Sequence, residues 1–175
     1  VNDNSHYYFK ARPKFSVNSG SPSGDLIPSA NTLLAIFDIK AEGNDDVTFD
    51  TADSNTLVVN LSQSVTDSDG GTETFTLKDE NGTTLDTATA AIESAASFTF
   101  DFASASLTVP AGATKKVYIY GDTTEMEDKG DTAQLWLDDN TASNVGWGID
   151  SVSNYNARAD IVFRGDIFAS SLVKP

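Results

Sequence analysis

The sequence predicts an all-β sandwich of about ten to twelve strands. Three observations carry this expectation. Apolar residues recur at every second position in short runs. Each run stops at Gly, Asp, Asn, Ser or Pro. No long segment keeps the three-to-four spacing of an amphipathic helix. A chain of 175 residues suits one domain or a small pair. At that size roughly 70% of the unfolded surface is buried on folding, so no staple is needed.

The elements follow in chain order. In His6-Tyr7-Tyr8-Phe9-Lys10-Ala11-Arg12, Tyr7, Phe9 and Ala11 fall on one face, and Tyr8, Lys10 and Arg12 on the other. That is a strand pattern with a polar outer side. Pro13 pushes its predecessor to extended geometry. The boundary is therefore expected there, with residues 1–12 as an arm and 13–175 as the sandwich. Leu33-Leu34-Ala35-Ile36-Phe37 is apolar on both faces and reads as a central, doubly covered strand. Leu57, Val59 and Leu61 alternate with Val58 and Asn60. Phe75 and Leu77 alternate with Thr74, Thr76 and Lys78, and a partner strand over 83–87 follows Asp79-Glu80-Asn81-Gly82. Asn81-Gly82 supplies the positive φ angles of a tight hairpin turn. Residues 88–96 are the best helical candidate, but at that length one turn is the most expected. Phe98, Phe100 and Phe102 form the next alternating run. A turn at Thr108-Val109-Pro110-Ala111-Gly112 leads to Val117 and Ile119. Leu135 and Leu137 flank Trp136, and Ile161 and Phe163 flank Val162.

Charge and composition exclude several classes. Eleven basic against 26 acidic side chains leave a net charge of −15. Phosphate binding needs a basic footprint, so nucleic acid is not an expected partner. No apolar run approaches the roughly 18 residues of a membrane-spanning helix. There is no Cys, which removes disulfides, thiolate metal sites and Cys nucleophiles. Disorder is the competing reading of high charge. It fails because 39% of residues are hydrophobic and 10% aromatic, in regular clusters. The first residue is Val1, with no apolar leader, so a targeting segment removed before Val1 or a trimmed chain is expected. Asn60-Leu61-Ser62 and Asn81-Gly82-Thr83 match the N-glycosylation pattern, which recurs by chance in a Ser/Thr-rich chain.

Catalytic motifs are weak, and no enzyme is expected. His6 is the only histidine. No G-x-S-x-G elbow occurs, and Ser171-Leu172-Val173-Lys174 has S-x-x-K spacing without partner motifs. Paired carboxylates cannot be singled out among 26 acids. Metal binding has one better candidate. Asp67, Asp69 and Glu73 place oxygen ligands along a Gly-rich loop, as Ca²⁺ prefers, though without the EF-hand spacing. The same residues also suit a solvated turn. Arg164-Gly165-Asp166 is an adhesion-type tripeptide between strand-like runs, where a bend at Gly165 explains it equally. Tyr118, Tyr120, Trp136 and Trp147 can make a carbohydrate platform or serve core packing.

The arm is the most informative feature. A strand over Tyr7, Tyr8, Phe9, Lys10, Ala11 and Arg12 can pair with its own sheet. It can instead complete the sheet edge of the next subunit through main-chain hydrogen bonds. Head-to-tail repetition of that contact makes an open filament.

Several segments resemble modules of very large bacterial surface proteins of the S-layer type. Arg12-Pro13-Lys14-Phe15-Ser16-Val17 followed by Ser19-Gly20-Ser21-Pro22-Ser23-Gly24 resembles their repeated opening. Leu107-Thr108-Val109-Pro110-Ala111-Gly112-Ala113-Thr114-Lys115 resembles their strand-turn, with Tyr120-Gly121-Asp122 after it. Trp147-Gly148-Ile149-Asp150 stands where such modules often carry a tryptophan. The resemblance implies an immunoglobulin-like sandwich, a cell-surface location and no catalytic residues. Those modules stand in tandem, whereas one module is recognised here. Self-assembly into a fibre is therefore the expected role. A monomeric glycan or receptor binder and a Ca²⁺-stiffened spacer are the alternatives.

Overall fold

The computed structural model describes residues 10–50, 55–65, 71–138, 144–149, 152–155 and 165–175. Among them there is no helix. The strands are β1 (Ala11–Val17), β2 (Gly24–Asp25), β3 (Thr32–Gly43), β4 (Val47–Phe49), β5 (Leu57–Ser64), β6 (Glu73–Asp79), β7 (Thr84–Ala90), β8 (Ala96–Phe100), β9 (Leu107–Val109), β10 (Thr114–Gly121), β11 (Thr132–Leu137), β12 (Trp147–Ile149), β13 (Val152–Tyr155), β14 (Ile167–Phe168) and β15 (Leu172–Val173). The fold is all-β, as the alternation predicts. The strands outnumber the expected ten to twelve because several are two or three residues long, too short to show alternation.

The described residues form three sheets. The first has the order β1-β3-β10-β6-β7. The second runs β2-β15-β11-β5-β8, with β14 also paired to β11. The third runs β13-β12-β4-β9. Among the described strands pairing is antiparallel except between β2 and β15. β3 lies inside the first sheet, and Ala35, Ile36 and Phe37 are all buried, as its two apolar faces require.

The sheets meet through aromatic rings. Phe75 of β6 stacks on Phe98 of β8, with centroids 4.3 Å apart, which joins the first sheet to the second. Phe49 of β4 stacks on Phe102 at 4.9 Å and meets Phe15 of β1 edge-on at 6.3 Å. The third sheet is thereby tied to the first. Trp147, Phe37, Phe49, Phe75 and Phe100 are fully buried in this common core. Gly121 ends β10 beneath it. A Cβ there would lie 2.6 Å from Leu34 Cδ1 and 2.9 Å from the Phe75 ring. The core has taken the space a side chain would need.

Two local expectations change. Residues 88–96 contain no helical turn of their own. β7 runs through Ala90, a turn follows, and β8 begins at Ala96. Ile92 in that turn is fully buried, and its N–H donates to the Glu73 carboxylate, which holds the segment as a turn against β6. The β6–β7 hairpin forms as expected, but only Gly82 takes a positive φ, of 83°. Asn81 keeps a negative φ because the Asp79 carboxylate accepts from Asn81 N at 2.9 Å and Thr83 N at 2.7 Å. Burial works to raise the Asp79 pKa, and those bonds outweigh it and hold it below the usual value.

Phe98→Ala is expected to cost about 3–5 kcal/mol, through the lost transfer energy and the cavity under Phe75. Gly121→Ala is expected to cost about 1–3 kcal/mol by overpacking. Urea denaturation checks both, with a lowered midpoint and an unchanged slope.

Candidate functional site

The first sheet exposes two edges of different character. β1 forms one. Asn44 N donates to Lys10 O at 3.0 Å, and Asn18 N donates to Ile36 O at 2.9 Å. With the register Ala11↔Gly43 to Val17↔Phe37, Arg12, Lys14 and Ser16 direct their backbone groups toward β3. Pro13 therefore lies at an outward-facing position, where a missing N–H costs nothing. Arg12 and Lys14 point to solvent and converge on Glu42 of β3. Arg12 Nε and Nη2 donate to Glu42 Oε2 at 3.3 and 3.1 Å, and Lys14 Nζ lies 3.5 Å from Oε1. Lys10 Nζ lies 3.5 Å from Asp45 Oδ2. Burial works to raise the Glu42 carboxyl, but the Arg12 bond and the neighbouring cations outweigh it and hold the pKa low. At this exposure such pairs contribute little stability. Proline and cations on an edge strand discourage further pairing.

β7 forms the opposite edge and lacks those guards. Its residues, TLDTATA, include no Pro, Lys or Arg. Asp122 N donates to Thr74 O at 3.2 Å, so Thr74 of β6 faces β10. Thr89 and Thr87, the register partners of Thr74 and Thr76, consequently turn their backbone groups away from β6. Further along, Leu85 O accepts from Ser104 N and Ala105 N at 3.0 and 3.1 Å, so that stretch of the edge is covered.

Ala11 and Arg12, expected in the arm, belong to β1 and lie on this chain's own β3. Ala11 is buried, and Gly43 opposite it has a φ of 130° and no room for a Cβ, which would stand 2.1 Å from Lys10 O. The body therefore includes Ala11 and Arg12, ahead of Pro13. Sequence reading missed this because Pro13 is compatible with an outward-facing strand position. Tyr7, Tyr8 and Phe9 lie outside the described residues, as does His6.

Of the metal candidates, Asp67 and Asp69 also lie outside the described residues. Glu73 is buried, and its Oε2 accepts from Ile92 N at 2.5 Å. It ties the turn after β7 to β6. Desolvation raises the Glu73 pKa against that bond, and the charges of Glu93 and Asp122 raise it further. Asp86 plays the matching role at the other end of β8, where its Oδ2 accepts from Asp101 N at 2.6 Å. Asp101 is itself pushed up, by desolvation first and then by the charge and hydrogen bond of Asp86. Among the described residues no three His, Cys, Asp or Glu side chains converge as a metal site. A shallow depression is lined by Asn44, Asp45, Asp46 and Thr48, and Asp46 Oδ1 is engaged there by Ala111 N at 2.8 Å.

The aromatic candidates do not share one face. Trp147 is fully buried, which removes it from any platform. Its run WGI is buried on both sides, whereas the sequence shows only its isolated ring. Tyr118 and Tyr120 lie on the outer face of the first sheet, and Lys78 Nζ sits 5.1 Å over the Tyr120 ring. Trp136 lies on the outer face of the second sheet and stacks on Phe168 at 5.2 Å and 19°. The sequence marks Phe168 only as a strand-like residue after Arg164-Gly165-Asp166 and not as a platform aromatic, since β14 is two residues long. Of the Arg-Gly-Asp tripeptide, Arg164 is outside the described residues, and Gly165 has a φ of 87°, a bend just before β14. Asn60, of the first glycosylation pattern, is a mid-strand residue whose Nδ2 is inaccessible to solvent.

No protein-family model matches the chain, and none of the curated proteins compared with it matches either.

Two predictions arise here. Gly43→Ala is expected to loosen the start of β1, at roughly 1–3 kcal/mol of strain. Hydrogen exchange should show faster loss at the Arg12 and Asn44 amides and little change in β6. The second concerns pH. A raised folded pKa gives stability that is complete below the unfolded value and lost as pH rises through the folded value. Glu73→Gln should therefore gain on the native protein as pH climbs from 4 toward 7. Urea midpoints across that range check the sign.

Proposed function

We propose that the protein is a structural subunit of an extracellular filament, an immunoglobulin-like β-sandwich joined head to tail without catalysis. The residues before Lys10 pair as an added strand with the β7 edge of the next copy. The observation that supports this most directly is the strand order of the first sheet. It puts the strand entered from the N-terminal segment at one edge and the unguarded edge at the other. A donor leaving one edge and an acceptor at the opposite edge give a heterologous contact. Such a contact propagates as an open fibre when its rotation does not close. The Pro13, Arg12 and Lys14 guards on β1 disfavour edge-to-edge pairing through β1 itself.

The energetics are those of strand addition. Each backbone hydrogen bond contributes about 0.5–1.5 kcal/mol. Each large apolar side chain buried from the added strand contributes about 1.5–3 kcal/mol before ordering costs. Tyr7 and Phe9, on one face of the arm, are the side chains for that burial. The resemblance to S-layer-type surface modules supports the extracellular setting. A net charge of −15 keeps free subunits apart until a specific contact forms.

Deletion of residues 1–9 is expected to abolish filaments and leave monomers that unfold at the native midpoint. Thr89→Pro, which removes an outward N–H from β7 without touching the β6 ladder, is expected to do the same. Negative-stain microscopy and light scattering read both. Filaments as abundant in either variant as in the native protein overturn the proposed contact.

A further inference from the structure

The second sheet carries a feature that the strand-addition contact does not use. Its register aligns Phe168 of β14, Trp136 of β11, Asn60 of β5 and Ser97 of β8 in one row across four strands. All four point to the outer side, because their neighbours Leu135, Leu61 and Phe98 are buried in the core. At the usual strand spacing of about 4.8 Å the row is roughly 14 Å long. Phe168 is 50% exposed, one of two large apolar residues so exposed among the described residues. Its ring is held parallel to Trp136, and Gln134 Nε2 donates to Ala169 O at 2.7 Å, fixing the strand that carries it.

Within β5, β8 and β11 the same face is uncharged. Every fifth residue of the chain is charged, at 21%, yet the outward positions within β5, β8 and β11 bear hydroxyls, amides, one valine and Trp136. Ser62 and Thr99 put hydroxyls on either side of the aromatic row.

We propose that this face binds a neutral glycan chain. A flat, rigid aromatic stack offers its open ring to the apolar C–H face of a sugar. Hydroxyls farther along the same face, Ser62, Ser97 and Thr99 among them, exchange hydrogen bonds with sugar hydroxyls without burying a charge. A row of that length, exposed at Phe168 and Ser97 and half-buried between them, suits an extended polymer better than a small enclosed ligand. A protein partner is the weaker fit. A stable interface needs about 800 Å² per side around an apolar core, and the only strongly exposed apolar group in this row is Phe168. The glycan face and the filament contact use different residues, so either can fail without the other.

The test is native electrophoresis of the full chain through gels holding dextran, hydroxyethylcellulose or xylan, with alginate as the charged control. The native protein should be retarded by at least one neutral polymer and not by alginate. Titration with that polymer should show Phe168→Ala about tenfold weaker, the worth of one aromatic contact, at an unchanged urea midpoint. Ser97→Asp, which puts a charge in the row, should also weaken binding. Retardation by none of the neutral polymers overturns the proposal, as does binding that neither variant changes. Light scattering that shows a dimer dispersed by Phe168→Ala, with no retardation, overturns it in favour of self-docking.

Discussion

The contact between Phe75 and Phe98 is the constraint on which the rest of this fold depends. These rings lie on different sheets and stack with centroids 4.3 Å apart. Their strands can meet only if both keep their apolar sides inward. A one-residue slip of β6 or β8 would send every such side chain to solvent. The stack therefore sets the registers of β6 with β7 and of β5 with β8. Gly121 follows from the same contact, since Phe75 and Leu34 fill the volume its side chain would take.

With the core settled, the acidic surplus takes on a definite role. Carboxylates stand at backbone N–H groups where the chain turns. Asp79 holds the β6–β7 hairpin, Glu73 and Asp86 hold the two ends of β8, and Asp46 holds Ala111 before β10. A carboxylate bonded to a backbone N–H stabilises a loop at positions where Lys or Arg has nothing to accept. Part of the negative charge is thus structural. Its cost falls at Asp101 and Glu73, which are pushed up by desolvation and, after it, by the charges of Asp86 and Glu93 respectively.

The two edges of the first sheet show how composition directs assembly. Both edges expose backbone groups, yet only β1 carries a proline and paired cations. An edge without such guards is tolerated when another strand or loop occupies it. Ser104 and Ala105 occupy the Leu85 end of β7. Thr87 and Thr89 turn their backbone outward beyond that cover, which is the geometry an added strand uses.

Much of this protein was determined by local sequence alone. Alternation at Leu57, Val59 and Leu61, or at Phe75 and Leu77, dictates strands with one buried face, because side chains in a strand point to opposite sides in turn. Asp79 to Gly82 dictates a hairpin turn, because only glycine reaches its positive φ without strain. The tertiary structure decided what depends on distance across the chain. It placed Ala11 and Arg12 in the body, since Gly43, 32 residues away from Ala11, leaves the space for β1 to pass. It buried Trp147 and left Trp136 outside, because which side of a short strand meets the core is settled by the neighbouring sheet. It also joined Phe168 to Trp136. A two-residue strand shows no period of its own, and only pairing with β11 gives its ring a face.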